Sequence, residues 1–473
     1  MAEKTVPEFV IAGHPNEGKS SVLSTLTEDD SVRISPYPGE TRKCRSFPVV
    51  VDGDEIIRFV DTPGFQNPLR TLKWMQEYTG PSKDIITTFI DEHTNDPAFK
   101  DDCELLAPID RAHGVIFVVD GSRPIRRADK AEMEILRIIG RPRMAVINCK
   151  KDQEQFIGSW QEEFRKHFNT IRIFNSCRAT FRNRIDLLKS LKAIDQDLST
   201  LLDSVIESLM ADWKARRQLS AETIVSMLRD ILGYTRQKRL GSANKTGEGR
   251  LKERLLGDYR TFAKERERKA HDAIRKIYKH NLLDAALPGH SIVQEDLFSK
   301  RTWEFLGLSK RQLIVAGALG GAATGAVLDL GHGGLSMGLF SVAGGIVGGL
   351  GAAYGGKELL SGRKILGISL DKETLRVGPV SNIQLLYILL DRAFIYFEHV
   401  TNWAHGRRDY ENASKELLKR QKMGETSSWG RDRHKICQEF FKTVTSKDTD
   451  SKDLGAELAF RSLVEDSLRN IAG

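Results

Sequence analysis

The sequence predicts an α/β doubly wound domain in the first third of the chain. A mostly α-helical domain with a glycine-rich hydrophobic helical hairpin is predicted to follow it. Three observations support this fold class. Short apolar runs alternate with helical patterns up to about residue 180, helical periodicity dominates from about residue 182, and residues 313–356 hold two apolar, glycine-rich segments. Alternating strands and helices are typical of a parallel sheet that helices cover on both faces.

The composition is that of a soluble globular protein with several domains. Hydrophobic residues make up 40% and charged residues 29% of the 473 residues. These values exclude a disordered chain, a collagen-like chain and a polytopic membrane protein. The five cysteines are scattered and form no C-x-x-C pair, so we expect neither a disulfide framework nor a zinc knuckle. These cysteines, and an N-terminus without an apolar signal segment, favour the reducing cytoplasm.

The positive charge of the chain is concentrated in one block. The 72 Lys and Arg residues against 64 Asp and Glu residues give a net charge of +8. Residues 236–279 alone contain 15 Lys or Arg and 6 Asp or Glu, a difference of +9. A local basic block is typical of a surface that meets an anionic partner, either acidic lipid or nucleic acid.

Apolar runs in the first part of the chain are predicted to be strands. Several are unbroken, as expected for strands that are buried on both faces. Asp52-Gly53-Asp54 is a tight-turn signal between two of the runs, and it predicts one antiparallel hairpin at an edge of the sheet. The predicted strands are Glu8–Ala12, Phe47–Val51, Ile56–Val60, Val115–Val119, Met144–Ile147 and Ile171–Phe174.

The changes in composition along the chain predict a series of segments. The doubly wound domain is expected to cover residues 1–181, and a flexible linker by composition covers residues 241–249. The other segments are a helical connector over 182–240, a basic helical segment over 250–312, the glycine-rich hairpin over 313–356, and a mostly helical C-terminal region over 357–473.

Local patterns inside these segments predict further elements. Ser220 is expected to cap a new helix in the connector, and residues 250–279 are expected to form a charged, solvated helix with one packed seam. In the C-terminal region, Leu366–Leu370 and Thr374–Val377 predict a small β-hairpin, and Ile383–Trp403 predicts an apolar helix.

A phosphate-binding loop follows the first predicted strand. Residues 13–20 read Gly-His-Pro-Asn-Glu-Gly-Lys-Ser, the pattern G-x-x-x-x-G-K-[ST], and a helix is expected to begin near Lys19. The glycines let backbone N–H groups curl around phosphate oxygens, and the helix N-terminus adds partial positive charge. Lys19 can reach the β- and γ-phosphates, and the Ser20 hydroxyl can hold Mg²⁺.

Companion motifs favour a guanine nucleotide. Asp61-Thr62-Pro63-Gly64 ends a predicted strand, where Asp61 can bind Mg²⁺ through water and the Gly64 N–H can face the γ-phosphate. Residues 146–152 end a later strand with Asp152, whose carboxylate can accept hydrogen bonds from guanine that adenine cannot donate. Residues 175–178 end the last strand, at the usual place of a second base-contacting loop.

These motifs make residues 8–180 similar to the Era-like GTPases. The loop of that family often reads G-x-P-N-x-G-K-S, and its switch often reads P-G-T-T-R, where this chain has Pro38-Gly39-Glu40-Thr41-Arg42. The resemblance implies that Thr41 is a switch I ligand of Mg²⁺, beside Ser20 and Asp61. It also implies that Lys19, Thr41 and Gly64 serve hydrolysis. The residues expected to bind GTP or GDP are Gly13, His14, Pro15, Asn16, Glu17, Gly18, Lys19, Ser20, Ser21, Asn148, Lys150, Asp152, Ser176 and Cys177.

The base motif departs from the pattern N-K-x-D of the family. Residues 148–152 read Asn-Cys-Lys-Lys-Asp, which is one residue longer. If Cys149 takes the position of the asparagine, an amide contact to the base is missing; if Asn148 keeps it, the loop bulges. In both cases Asp152 is the expected guanine reader and Lys150 the expected stacking lysine.

The second departure concerns hydrolysis. Phe65 follows the switch II glycine where a glutamine would position water, so we expect slow intrinsic hydrolysis with help from a cation or a partner. Asn16 matches the asparagine that helps hold K⁺ in potassium-activated members of the family. The long interval over residues 66–110 suggests an inserted and mobile switch region.

The glycine-rich hairpin is predicted to insert into a membrane. Gly317, Gly321 and Gly325 are spaced by four residues, a spacing that lets helix backbones approach closely in a bilayer. Leu313–Leu330 and Leu335–Tyr354, at 18 and 20 residues, are each long enough to span about 27–30 Å. Both flanks are basic, which favours a cytoplasmic location for both ends. A buried hairpin in a soluble bundle is the alternative.

The second half of the chain adds a weaker resemblance. Its combination with this N-terminal domain resembles a bacterial GTPase family whose C-terminal half is a domain of unknown function, and this resemblance implies no functional residues. The sequence as a whole predicts a GTP-binding switch protein with slow, Mg²⁺-dependent hydrolysis on the cytoplasmic face of a membrane. We expect membrane lipid and an unidentified protein as partners, with homo-oligomers through the hairpin.

Two alternatives remain at the level of sequence. The first is a soluble RNA- or ribosome-associated GTPase that uses residues 236–279 to contact phosphates. The chain shows no RNP, zinc-knuckle or KH signature, which argues against it. The second is a scaffold that holds GTP without turnover, which the unusual base motif favours.

Asp152→Asn tests the alignment of the base motif. The substitution replaces an acceptor carboxylate with an amide, so it should weaken GTP binding and improve binding of xanthine nucleotides. Competition between GTP and XTP for the purified protein measures the preference. An unchanged preference would move the base contact to another residue.

Overall fold

The computed structural model describes most of the first half of the chain and several segments of the second half. The described residues divide into two compact units. The first unit lies within residues 1–215, 279–284 and 401–408, and the second within 216–278, 285–400 and 409–473. The described residues are 6–29, 32, 43–149, 155–239, 245–280, 291–299, 302–303, 306, 366–371, 374–405, 424–446 and 454–472.

A six-stranded sheet forms the centre of the first unit, in the order β2-β3-β1-β4-β5-β6. β1 pairs in parallel with both β3 and β4, and β2 pairs antiparallel with β3 at the sheet edge. The doubly wound sheet and its edge hairpin therefore match the predictions. The strands are β1 (Glu8–Ala12), β2 (Arg45–Val51), β3 (Asp54–Asp61), β4 (Gly114–Asp120), β5 (Arg143–Asn148) and β6 (Thr170–Phe174).

Helices cover both faces of this sheet. Successive strand residues point to opposite faces, so Ile116 and Val118 join one hydrophobic cluster while Phe117 and Val119 join the other. The helices of the first unit are α1 (Lys19–Thr27), α2 (Pro68–Glu77), α3 (Ile85–His93), α4 (Lys100–Arg111), α5 (Arg127–Ile139), α6 (Ile157–Phe164), α7 (Phe181–Lys192) and the first half of α8 (Asp197–Leu232).

The interval over residues 66–110 folds into α2, α3 and α4. Where the sequence suggested a mobile switch region, the structure has helices with buried apolar faces. Trp74 of α2 lies edge-on to Phe89 of α3 at 5.1 Å between ring centroids, and Phe89 contacts Phe99 just before α4 at 5.6 Å. These aromatic contacts pack α2, α3 and the start of α4 together, because each ring removes apolar surface from water. The mobility of this interval stays a prediction.

The connector differs from the prediction. Ser220 does not cap a new helix, because its hydroxyl donates to the carbonyl of Arg216, one turn earlier, inside the continuous helix α8. The predicted helical connector also ends in a strand, β7 (Arg236–Arg239). Residues 245–249 of the predicted linker lie in the next helix, α9 (Lys245–Ile277).

The second unit combines helices with a small antiparallel sheet. The predicted β-hairpin is present, and β7 extends it to three strands in the order β7-β9-β8. β7 pairs with β9, which lies more than a hundred residues later in the sequence. The pattern of residues within a short segment therefore could not predict that β7 is a strand. The other elements are β8 (Leu366–Asp371), β9 (Thr374–Val380), α10 (Gln384–Thr401), α11 (Arg431–Thr445) and α12 (Leu454–Ile471).

A buried ion pair links α9 and α10 in the second unit. The guanidinium of Arg392 contacts the carboxylate of Glu267 at 2.5 Å, and the two side chains are only 3% and 8% exposed. Arg392 also donates to the backbone carbonyls of Ile292 and Val293, each at 2.8 Å. The pair therefore has the hydrogen bonds that a buried charge requires.

The predicted membrane hairpin over residues 313–356 lies outside the described residues, as do Thr41, Lys150 and Asp152. None of the helices in the part of the chain that the structure describes has the length and the apolar character needed to cross a bilayer.

Candidate nucleotide site

The loop between β1 and α1 has a backbone shape that depends on glycine. Gly13 has φ +136°, and a Cβ at this position would collide with the carbonyl oxygen of Val118 on β4. Gly18 has φ 91° where it precedes α1. Both glycines allow the loop to curl, because L-residues with side chains rarely adopt these angles. The predicted phosphate loop therefore lies at the carboxyl ends of β1 and β4.

Lys19 places a positive charge inside this loop. Its side-chain nitrogen donates to the carbonyl oxygens of Gly13 at 2.9 Å and His14 at 3.1 Å, and the residue is 8% exposed. The loop residues around it vary in exposure, with Glu17 buried and Asn16 exposed. An ammonium held in this way lies where a phosphate group would meet the loop amides and the N-terminus of α1.

Ser20 and Asp61 come together although they are far apart in sequence. The Ser20 hydroxyl donates to Asp61 Oδ2 at 3.2 Å, and Asp61 is 4% exposed. A hydroxyl and a carboxylate are the hard oxygen donors that Mg²⁺ prefers, so this pair fits the predicted metal. The third predicted ligand, Thr41, lies outside the described residues.

The switch II segment contacts the phosphate loop directly. A Cβ added at Gly64 would collide with the ring of Pro15, so the two backbones approach as closely as glycine permits. Thr62 stabilises the approach, because its hydroxyl donates to the Ile11 carbonyl at 2.7 Å. Gly64 therefore lies beside the loop, as its predicted role requires.

Asn148 connects the phosphate loop with the loop after β6. Its side-chain nitrogen donates to the Glu17 carbonyl at 3.2 Å, and its side-chain oxygen accepts from the Ser176 N–H at 3.2 Å. Asn148 is fully buried, whereas Cys149 uses its N–H to pair with the Phe174 carbonyl at 3.0 Å. Of the two alternatives for the asparagine position, this geometry favours Asn148.

Ser176 and Cys177 lie at the carboxyl end of β6, as predicted. The Ser176 carbonyl accepts from the Thr25 hydroxyl of α1 at 2.9 Å, and the Cys177 N–H donates to the Asn175 side chain at 3.0 Å. Ser21 is buried in the first turn of α1. The roles of these residues toward GTP stay predictions.

An ion network beneath the loop was missed at the sequence level. Arg123, in the turn after β4, contacts Glu17 at 2.6 Å and Asp129 of α5 at 2.7 Å. Burial alone would lower the pKa of the Arg123 guanidinium, but the hydrogen bonds with Asp129 and Glu17 raise this pKa above its ordinary value. No local pattern marks Arg123, because its partners come from two other elements.

The side chain of His14 also contacts α5. Its Nδ1 lies 3.0 Å from Oε1 of Glu132, a fully buried residue of α5. Burial raises the pKa of Glu132, and the hydrogen bond with His14 opposes the rise. The sequence predicted His14 as a nucleotide contact; in the structure its side chain pairs with α5.

Comparison with protein families places both halves of the chain. The family model described as a domain of unknown function (DUF3482) matches residues 162–465. The model described as 50S ribosome-binding GTPase matches residues 8–149, a range that includes the phosphate loop, Asp61, Gly64 and Asn148. The N-terminal part is therefore a P-loop GTPase domain, whose reaction is hydrolysis of GTP. The predicted resemblance to Era-like GTPases is confirmed.

Curated relatives share this domain. GTPase Der of Pseudothermotoga lettingae is 26% identical over 221 residues, which are 45% of this chain and 43% of that protein. The tRNA modification GTPase MnmE of Thermotoga petrophila is 26% identical over 224 residues, 47% of this chain and 42% of that protein. The chain thus matches less than half the length of either relative.

Solved structures show similarity over part of the chain. Era from Aquifex aeolicus, bound to GDP and AlF4⁻, is 19% identical and matches over 50% of this chain and 75% of its own, with a TM-score of 0.25.

Lys19→Ala tests the phosphate loop. Removing the ammonium should weaken GTP binding by at least about 100-fold, because Lys19 is expected to bond both the β- and the γ-phosphate and each hydrogen bond to a charged group contributes about 1.5–3 kcal/mol. Titration calorimetry with GTP measures the affinity. Lys189→Ala, on the exposed surface of α7, is the matched control and should bind GTP like the wild type. Wild-type affinity in Lys19→Ala would contradict the assignment.

Proposed function

We propose that this chain, which belongs to the DUF3482 family, is a GTP-dependent switch with slow, Mg²⁺-dependent turnover. The observation that supports this proposal best is the convergence of Lys19, Ser20 and Asp61 at one end of the sheet. Lys19 would neutralise charge on the β- and γ-phosphates. Mg²⁺ held by Ser20 and Asp61 would supply further charge compensation at the phosphate oxygens.

Slow turnover follows from the residue after the switch II glycine. Phe65 is 2% exposed and packs in the hydrophobic cluster with Val60 and Leu106. A buried phenyl ring offers no hydrogen bond to a water molecule, so this position cannot orient the nucleophile. Stabilisation of the transition state must then come from another positive charge or donor, either a cation or a group on a partner.

Asn16 supports a cation as that source of charge. It has φ 67°, in the left-handed region, and lies exposed at the tip of the phosphate loop. Asparagine tolerates this conformation better than most residues, so its presence is compatible with the loop shape. By resemblance to potassium-activated GTPases, we propose K⁺ as the cation.

The cation proposal predicts a salt-specific rate. GTP turnover should be at least about tenfold faster in K⁺ than in Na⁺ at equal ionic strength. A site that fits K⁺ is expected to hold the smaller Na⁺ poorly, and loss of one preorganised stabilising group costs about 100-fold or more. Asn16→Ala should remove the difference. Asn183→Ala, at the start of α7, should keep it. Equal wild-type rates in both salts would reject a cation and leave a partner as the activator.

The proposed location is the cytoplasmic face of a membrane. The support is the sequence of residues 313–356, with glycines at four-residue spacing and basic residues on both flanks. An inserted hairpin would also provide the surface for homo-oligomers, through close approach of the glycine faces.

An RNA- or ribosome-associated role is the second candidate. It is suggested by the tRNA modification GTPase and by the 50S ribosome-binding GTPase family among the relatives. The structure weakens the case for the basic segment, because several of its charges have acidic partners. Lys264 lies 2.5 Å from Asp296, and Arg266 lies 3.3 Å from Asp230. Paired charges release fewer counterions from a phosphate backbone than free ones.

Cell fractionation in high salt separates the two candidates. Salt screens contacts with phosphates, whereas an inserted hairpin is held by apolar surface. The membrane proposal predicts that the wild type sediments with membranes after a high-salt wash. The triple substitution Arg250→Ala, Lys252→Ala and Arg254→Ala should not change this result. Release of the wild type into the soluble fraction, together with ribosomes at low salt, would instead favour the RNA role.

Replacing glycines of the predicted hairpin with leucine tests whether its helices pair through their glycine faces. Gly321→Leu and Gly348→Leu should leave membrane sedimentation intact and abolish oligomers, since they separate the helices without lowering apolarity. A wild type that is monodisperse without detergent, with a melting temperature that these substitutions merely lower, would show that the hairpin is a soluble core.

A further inference from the structure

One helix of the first unit is bonded to the outgoing ends of both switch segments. Residues 66–67 follow the switch II residues Gly64 and Phe65, and Cys44 lies just before β2, two residues after the predicted switch I motif Pro38–Arg42 in the sequence. Both exits are bonded to α4, which lies beyond them in sequence.

Asp102 of α4 holds the exit of switch II. Its Oδ1 accepts from the Gln66 N–H at 2.7 Å, and its Oδ2 accepts from the Asn67 N–H at 3.1 Å and from the Thr71 hydroxyl at 3.0 Å. Asp102 is fully buried. Burial raises the pKa of this carboxyl, and the hydrogen bonds oppose the rise. One carboxylate therefore fixes two consecutive backbone amides and the first turn of α2.

Glu104 of α4 holds the exit of switch I. Its Oε1 accepts from the Cys44 N–H at 2.8 Å, and its backbone carbonyl accepts from the Cys44 thiol at 3.0 Å. The next residue, Arg45, pairs with Asp61 across β2 and β3. The contact at Cys44 is thus one residue from the strand partner of a predicted Mg²⁺ ligand.

Asp102 and Glu104 point to different sides of the same helix. Residues two positions apart on an α-helix are separated by about 200° around its axis. α4 itself is held in place by Leu105, Leu106 and Ile109, all fully buried. Because α4 is anchored in the core and is bonded to Cys44 on one side and to residues 66–67 on the other, these two segments cannot easily move independently of each other.

From this geometry we propose that Asp102 and Glu104 are positioning residues for GTP hydrolysis, which clamp the two switch segments to α4 so that they move as one unit. The proposal rests on the nucleotide-dependent switching proposed above. It supplies a structural reason for the helices between switch II and β4: they fix the backbone beyond Gly64, where Phe65 provides no catalytic amide. A purely structural capping role for α2 is the competing explanation.

Steady-state GTP hydrolysis and GTP affinity separate the two explanations. Asp102→Ala and Glu104→Ala should each lower kcat about tenfold, since small displacements of positioned groups can cost up to about 100-fold. The Kd for a non-hydrolysable GTP analogue should stay within about twofold of the wild type, because the phosphate loop is untouched. Asp101→Ala, on the same first turn, is the matched control and should keep wild-type kcat.

Conservative variants and the double variant test the clamp itself. Glu104→Gln retains an acceptor oxygen for the Cys44 N–H and should restore most of kcat. Asp102→Asn should restore part of it. In a clamp that acts as one unit, Asp102→Ala combined with Glu104→Ala should lose little more than either alone. Additive losses would overturn joint action, and wild-type kcat in both single variants would overturn positioning.

Other experimental outcomes also distinguish a positioning role of Asp102 and Glu104 from a purely structural role. A kcat and an affinity that fall together with the melting temperature would assign Asp102 a structural role only. If Asp102→Ala does not fold, the comparison of Glu104→Ala with Glu104→Gln tests the same clamp from its other side. Absence of hydrolysis in the wild type would overturn the proposed function, whereas the ratio of variant to wild-type kcat tests the clamp.

Discussion

The close approach of the Gly13 backbone to the Val118 carbonyl sets the position of the whole site. It fixes the phosphate loop against β4, and the parallel register of β1 with β3 and β4 then brings the carboxyl ends of the three strands to one edge. Asp61, at the end of β3, reaches Ser20 only because of this register. Asn148, at the end of β5, reaches Glu17 for the same reason. A side chain at Gly13 would collide with Val118 and force the phosphate loop away from β4.

The buried carboxylate of the phosphate loop must be balanced by positive charge and hydrogen bonds. The loop carries a buried carboxylate, Glu17, which would be costly without partners. Arg123 and the N–H of Asp120 provide them, and Asp129 balances the second side of Arg123. The network ties the loop to the end of β4 and to α5. A P-loop that is rigid before GTP binds loses less conformational entropy on binding.

The C-terminal half contributes residues to the first unit as well as forming the second. The Ser24 hydroxyl of α1 donates to the His405 carbonyl at 3.0 Å, and the His280 ring stacks on His405 at 4.1 Å between centroids. Glu28, just after α1, contacts Arg184 at 2.6 Å and Lys279 at 3.9 Å. The helix that begins at the phosphate loop thus ends among residues of the DUF3482 region. These segments of the family-specific half therefore pack at the end of α1 that lies farther from the phosphate loop.

The sequence by itself determined the sheet, the phosphate loop and the order of the motifs. Short unbroken apolar runs rich in β-branched residues such as Val115–Val119 favour buried strands, and the glycines at positions 13 and 18 permit the backbone angles that a phosphate loop requires. These are local properties of the chain, so they can be inferred without knowing which other elements pack against the segment. Ser220 shows the limit of such reasoning: a good capping residue became the interior of α8, because packing on both sides of it stabilised a continuous helix.

Only the tertiary structure decided which side chains meet. Asn148 rather than Cys149 connects the phosphate loop with Ser176. Asp102 and Glu104 contact the switch exits, and β7 joins a hairpin formed far along the chain. None of these contacts follows a fixed spacing, because each depends on where another element returns to the core. Local pattern specifies the conformation of a segment, whereas the partners of a buried polar group are set by the packing of the whole unit.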